Sequence, residues 1–112
     1  MSVNSTLNVP KNTTLQFTCT VSGLGNIESY TATLTVRENT KATVNKIQVD
    51  HDSIDNNVIT FVVDYSDNNI AAKSYVYGIQ ITNGVYQYSV DLGDGDIPHT
   101  VGIYNVLPTV ED

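Results

Sequence analysis

Residues 75–92 read YVYGIQITNGVYQYSVDL, two alternating runs joined at Asn83-Gly84. A type I′ turn needs positive φ at both central residues, and Asn-Gly meets that need at low cost. With those two as the loop, Thr82 faces Val85, Ile81 meets Tyr86 and Ile79 meets Tyr88. Farther out, Tyr77 meets Val90 and Tyr75 meets Leu92. Apart from the pair at the turn, one face is apolar or aromatic on both sides. The other face pairs Gln80 with Gln87 and Gly78 with Ser89, and it carries no charge until Asp91. A one-residue slip would turn the apolar set outward, so turn chemistry and alternation agree on one register. The stretch predicts an antiparallel hairpin and, with it, an all-β chain.

The same period of two extends outward. Thr6 to Val9 reads as a short strand ended by Pro10, which fits an edge or a strand end. Leu15, Phe17, Cys19 and Val21 alternate with Thr14, Gln16, Thr18 and Thr20. Tyr30, Ala32, Leu34 and Val36 alternate with threonines and Arg37, the cleanest single strand in the sequence. Ala42 and Val44, then Ile47 and Val49, break parity, which predicts a bulge or a break near Asn45-Lys46. Residues 50–57 are acidic and Asn-rich and read as a connection. VITFVV, residues 58–63, suits a strand covered on both faces or one meeting another subunit. Tyr65 to Asn69 reads as a turn, Ile70-Ala71-Ala72 as one short helical turn, and residues 93–98 as a loop. Thr100 to Val106 is the closing strand, ended by Pro108. Seven or eight strands at this spacing predict a single sandwich domain over residues 1–112, with two sheets and Greek-key links.

Composition narrows the partners. The chain has 112 residues, with 12 acidic against 5 basic side chains and a net charge of −7. Val, Thr and Asn are the commonest residues and suit strands and turns. The acidity argues against nucleic acid and anionic membrane as partners. No apolar stretch approaches the ~20 residues of a membrane helix. The first twelve residues lack the basic and apolar regions of a signal peptide, which predicts synthesis in a cytoplasm. On that expectation, Asn4-Ser5-Thr6 and Asn12-Thr13-Thr14 match the glycosylation pattern by chance.

Chemistry-bearing residues are few. Asp91, Asp94 and Asp96, or Asp50, Asp52 and Asp55, could offer oxygen ligands to Ca²⁺, but neither set has the spacing that aims alternating carboxylates at one point. Their loop positions already account for Asp. His51 and His99 read as solvent-exposed loop residues, too few for a zinc site. Cys19 is the lone cysteine and reads as a buried small hydrophobe, so no disulfide can form within the chain. No G-x-S-x-G elbow or phosphate loop is present. Of the seven tyrosines, Tyr30, Tyr75, Tyr77, Tyr86 and Tyr88 share faces with aliphatic residues and are expected in the core. The sequence therefore predicts no enzyme, no catalytic, metal or cofactor-binding residues, and surfaces left for protein contact.

At its best strands the chain resembles the small immunoglobulin-like domains of tailed-phage structural proteins, such as baseplate upper-protein N-terminal domains and tail, neck or capsid-attached modules. The resemblance rests on YTATLTVRENTKATV (Tyr30 to Val44), YVYGIQI (Tyr75 to Ile81) and the closing DLGDGDIPHTVGIYNVLPTVED. Asn12 to Thr18 matches the opening strand, Tyr30 to Arg37 the second, Lys73 to Ile79 the third and Gly102 to Val110 the last. It implies an immunoglobulin-like antiparallel β-sandwich. It also implies a virion component, assembled in the host bacterial cytoplasm, that packs against other virion proteins and against copies of itself in an oligomer or array. A carbohydrate- or host-surface-binding module is the alternative, motivated by the Tyr, Asn and Asp of the loops.

Overall fold

Alternation along each strand becomes two packed layers once the strands pair. The computed structural model describes residues 6–92 and 100–109. Its strands are β1 (Thr6–Pro10), β2 (Leu15–Thr20), β3 (Thr31–Arg37), β4 (Ile47–Asp50), β5 (Ser53–Asp55), β6 (Val58–Val63), β7 (Ser74–Thr82), β8 (Gln87–Ser89) and β9 (Gly102–Leu107). The larger sheet has the order β1-β9-β7-β3-β4 with β8 also on β7, and the smaller has the order β2-β6-β5. This is an immunoglobulin-like sandwich, strands B, E and D facing G, F, C and C′. All pairs are antiparallel except β1 with β9, which run parallel.

Inward positions make one core. Ala32, Leu34 and Val36 of β3 lie among Tyr75, Tyr77, Ile79 and Ile81 of β7, and Ile59, Phe61 and Val63 of β6 face them from the other sheet. Burying such side chains fully contributes about 1.5–3 kcal/mol each. Phe17 of β2 stacks on Phe61 with ring centroids 5.4 Å apart, and Tyr77 meets Tyr104 edge-on at 6.4 Å.

Two polar devices lock the corner between β6 and β7. The Tyr75 hydroxyl donates to the Ala71 carbonyl at 2.7 Å, which is the tyrosine corner of immunoglobulin-like domains. Two residues on, where antibody domains carry a disulfide-forming cysteine, this chain has Tyr77, which lines one groove together with Cys19 of β2. Asn68 is fully buried. Its Nδ2 donates to the Thr13 carbonyl at 2.7 Å, its Oδ1 accepts from the Tyr104 hydroxyl, and its carbonyl accepts from Asn12 N–H at 3.2 Å.

The hairpin differs from its predicted form. Thr82 pairs with Gln87 and Ile81 with Tyr88, so residues 83–86 make a four-residue loop and the register moves by two. The cause is Asn83, whose Oδ1 accepts from Val85 N–H at 2.9 Å and Tyr86 N–H at 2.8 Å. Only Gly84 of the two turn residues has positive φ, at 93°. A shift of two keeps parity, so Ile79 and Ile81 stay inward, while Tyr86 leaves the ladder for the loop. Beyond Val90, whose N–H donates to the Ile79 carbonyl at 2.8 Å, β9 replaces the chain along β7. Tyr75 therefore pairs with Tyr104 and Tyr77 with Gly102, not with Leu92 and Val90.

Four smaller expectations are also refined. Residues 41–46 hold no strand and Val44 is exposed, so of the two forms expected at Asn45-Lys46 the structure has the break, with β4 starting after it, and not the bulge. The stretch read as a connection holds β5, turned into β6 through Asn56 at φ 57°. Residues 70–72 form bends without a helical turn. The outward residues of β6, Val58, Thr60 and Val62, are half-buried rather than fully covered.

Candidate functional site

The sequence-predicted candidates do not converge. Asp50 lies on the outer face of β4, where its Oδ1 accepts from the Thr33 hydroxyl at 3.1 Å. Asp52 and Asp55 follow in the turn and on β5. Among the described residues no three His, Cys, Asp or Glu side chains gather where a metal ion could sit. Asp94, Asp96 and His99 lie outside the described residues. His51 is half-buried, not a free loop residue. Its Nδ1 accepts from Ala32 N–H at 3.1 Å and its own N–H donates to the Ala32 carbonyl at 2.8 Å, so it caps the start of β3.

Cys19 is half-buried on the inner face of β2, and burial raises its thiol above the usual value. A thiol held protonated is a poor nucleophile. Burial likewise pushes the Tyr77 hydroxyl up to about 12. It also raises Tyr104, partly countered by the hydrogen bond to Asn68.

The tyrosines divide. Tyr75, Tyr77 and Tyr104 are in the core, whereas Tyr65 and Tyr86 are 59% and 60% exposed and Tyr88 is 37% exposed. Tyr86 and Tyr88 were expected inside. The two-residue register shift moves Tyr86 into the loop and sets Tyr88 opposite Ile81 near the end of the hairpin. Their rings lie 6.4 Å apart and tilted by 34°, beside exposed Val85.

The outer face of the larger sheet is the most distinctive surface. Registers place Thr6, Ile103, Val76 and Arg37 in one row across four strands, and Asn8, Asn105 and Ser74 in the next. Gln80, Thr33 and Asp50 form another. In a chain of net charge −7, the strands of this sheet carry only Arg37 and Asp50 as charged residues. Both are held locally: Arg37 donates to Asn45 Oδ1 at 2.8 Å and to the Ala42 carbonyl at 3.1 Å. Neutral amides tie the rest across strands, Asn105 to Asn8 at 3.0 Å and Gln87 to Gln80 at 3.1 Å. Val101, Ile103 and Leu107 stand exposed at 41–47%. At the margin Lys73 pairs with Glu38, a bond that lowers the Glu38 carboxyl below its usual value, and its ammonium lies 5.3 Å from the Tyr75 ring centroid.

This face has weak signals in the sequence. Gln80, Gln87 and Ser89 already marked an uncharged hairpin face, but its continuation depends on antiparallel β9 and then parallel β1 arriving beside β7, which alternation does not reveal.

No family model matches the sequence, and no curated protein matches it. Among solved structures, a crystal structure described as a candidate glycoside hydrolase from Bacteroides vulgatus aligns with TM-score 0.52 at 13% identity. The alignment covers 92% of this chain and 16% of that one. The periplasmic chaperone SfaE aligns over 97% of this chain and 57% of its own at TM-score 0.38 and 8% identity, too distant to bear on the fold. What the first likeness shows is the shared sandwich fold.

Proposed function

We propose that this chain is a non-enzymatic structural module that packs through the outer face of its larger sheet against other protein subunits. Following the sequence resemblance, we place it in a tailed-phage particle as a capsid-attached, neck or baseplate component. The observation that carries the reading is the near absence of charge on that face, together with exposed Val101, Ile103 and Leu107. Depletion of charge with retained apolar and amide groups marks the centre of protein interfaces. The test is compositional. Particles of the phage that encodes the chain, purified from a lysate, should contain it by mass spectrometry, and their lacking it would overturn the virion placement.

A second reading draws on Tyr86 and Tyr88. Two exposed aromatic rings 6.4 Å apart offer a stacking platform for a sugar. A glycan array should then give a binder that the Tyr86→Ala, Tyr88→Ala variant loses. An empty array would remove this reading and leave the first intact.

A further inference from the structure

A depression of about 260 Å³ opens on the outer face of the larger sheet, over Gly78 of the middle strand β7. On one side of β7, β8 ends opposite Gln80 and β9 begins opposite Tyr77, so Gly78 lies at the fork between them. A Cβ at Gly78 would lie 3.3 Å from the Thr100 carbonyl oxygen, and without one the backbone forms an open floor. Arg37, opposite Val76 in register, borders the depression, and Thr35, Gln80 and Ser89 add neutral hydroxyls and an amide. The volume lies below the roughly 300–1,000 Å³ of small-molecule pockets and suits one inserted side chain.

We propose that the protein subunit packed on this face inserts an Asp or Glu side chain into the depression and pairs it with Arg37. This rests on the outer-face reading above. Charge decides the occupant. Arg37 is the one cationic residue on the strands of this sheet. Its hydrogen-bond acceptors among the described residues, Asn45 Oδ1 and the Ala42 carbonyl, are both neutral. In water that suffices, because solvent screens the guanidinium. Under a packed subunit the water is gone, and a buried charge without a counter-charge is strongly unfavourable. Neutral acceptors do not offset it, so the carboxylate has to come from the partner. A guanidinium has five N–H donors, more than these two bonds use, in a fork that fits a carboxylate. A phosphate-bearing partner would instead be repelled by the net charge of −7. Asp50, the other charge of this sheet, sits on the edge strand β4, away from Gly78.

The test counts each variant in purified particles by mass spectrometry, against wild type expressed in the same cells. Arg37→Gln should enter roughly tenfold less or worse, since it leaves the partner's carboxylate buried and unpaired. Arg37→Lys loses the fork but keeps the charge, so it should recover part of that loss. A role confined to holding residues 42–45 would leave Lys as poor as Gln, and that result overturns the proposal. Val76→Glu and Val76→Gln, alike in shape, give a second reading with the bonds of Arg37 untouched. A Glu opposite Arg37 repels a partner's carboxylate, so Val76→Glu should enter less than Val76→Gln. If the partner brings no carboxylate, the signs change. Arg37→Gln then enters as well as wild type or better, and Val76→Glu matches or exceeds Val76→Gln. Either result overturns the proposal and leaves the outer-face reading standing. That reading has its own control in Ile103→Lys, an exposed position on the same face. If Ile103→Lys enters normally, the face is not the contact and both fall. Should Arg37→Gln not fold, the Val76 pair decides alone.

Discussion

Asn68 uses both ends of its amide inside the sandwich. It bonds the β1–β2 corner through Thr13 and the closing strand through Tyr104. Asn68→Ala removes these bonds and leaves the Tyr104 hydroxyl and the Thr13 carbonyl without them. The expected loss is about 2–4 kcal/mol by urea unfolding, since buried unpaired groups cost about 1–3 kcal/mol each. Tyr104→Phe should cost less, about 1–2 kcal/mol. The double variant should fall short of the sum, because one contact is counted in both. The buried hydroxyls also set an alkaline limit. Tyr77 is raised from 10.0 to about 12, and Tyr104 is raised too. A group whose folded value is raised holds its proton in the folded state and releases it first in the unfolded one. Stability from both is thus complete below pH 10 and declines as pH rises from there through about 12. Melting temperature followed over that window should drop, and Tyr77→Phe should make the drop shallower. None of this was visible in sequence: Asn68 sits in a predicted turn, where Asn needs no further reason.

At the scale of elements, the β7–β8 hairpin shows how a strong local signal can be right about the turn and wrong about its form. Asn83-Gly84 does reverse the chain, and the inward parity of β7 is as expected. The side chain of Asn83, however, binds two amides of the loop and widens it from two residues to four. Asn83→Ala should cost about 1–2 kcal/mol through those two bonds. Gly84→Val should cost a similar amount, because a β-branched residue is strained at φ 93°. Tyr86 fluorescence anisotropy should fall in both if the loop loosens. An unchanged unfolding midpoint in either variant would show that the loop geometry contributes nothing. Ile27 teaches the same lesson from a loop. It is fully buried, held by its N–H to the Asn56 carbonyl at 2.8 Å, yet it sits in no alternating run.

At the scale of the molecule, the two sheets expose unequal outer faces. That of the larger sheet is neutral and tied across strands by amides, so a charge placed there tests contact rather than folding. Ile103→Lys, at a position 47% exposed, should leave the melting temperature within a few degrees, as surface changes away from special features are usually within about 0.5 kcal/mol. The same variant should assemble at least tenfold less into particles, measured against wild type supplied in the same cells. Equal incorporation would exclude this face as the contact.

Strand parity, the all-β class and most of the core were readable from residues alone, because a strand places successive side chains on opposite faces whatever lies around it. Leu34, Val36, Tyr75 and Ile79 were assigned inward on that basis and are buried. Other features were set only by the folded whole. The parallel pairing of β1 with β9, the replacement of the β8 segment by β9 along β7, the burial of Asn68 and the exposure of Tyr86 and Tyr88 all depend on which distant segment arrives alongside. Period two is a property of the local backbone. Register and partner choice are decided by non-local packing, which one strand's sequence does not contain.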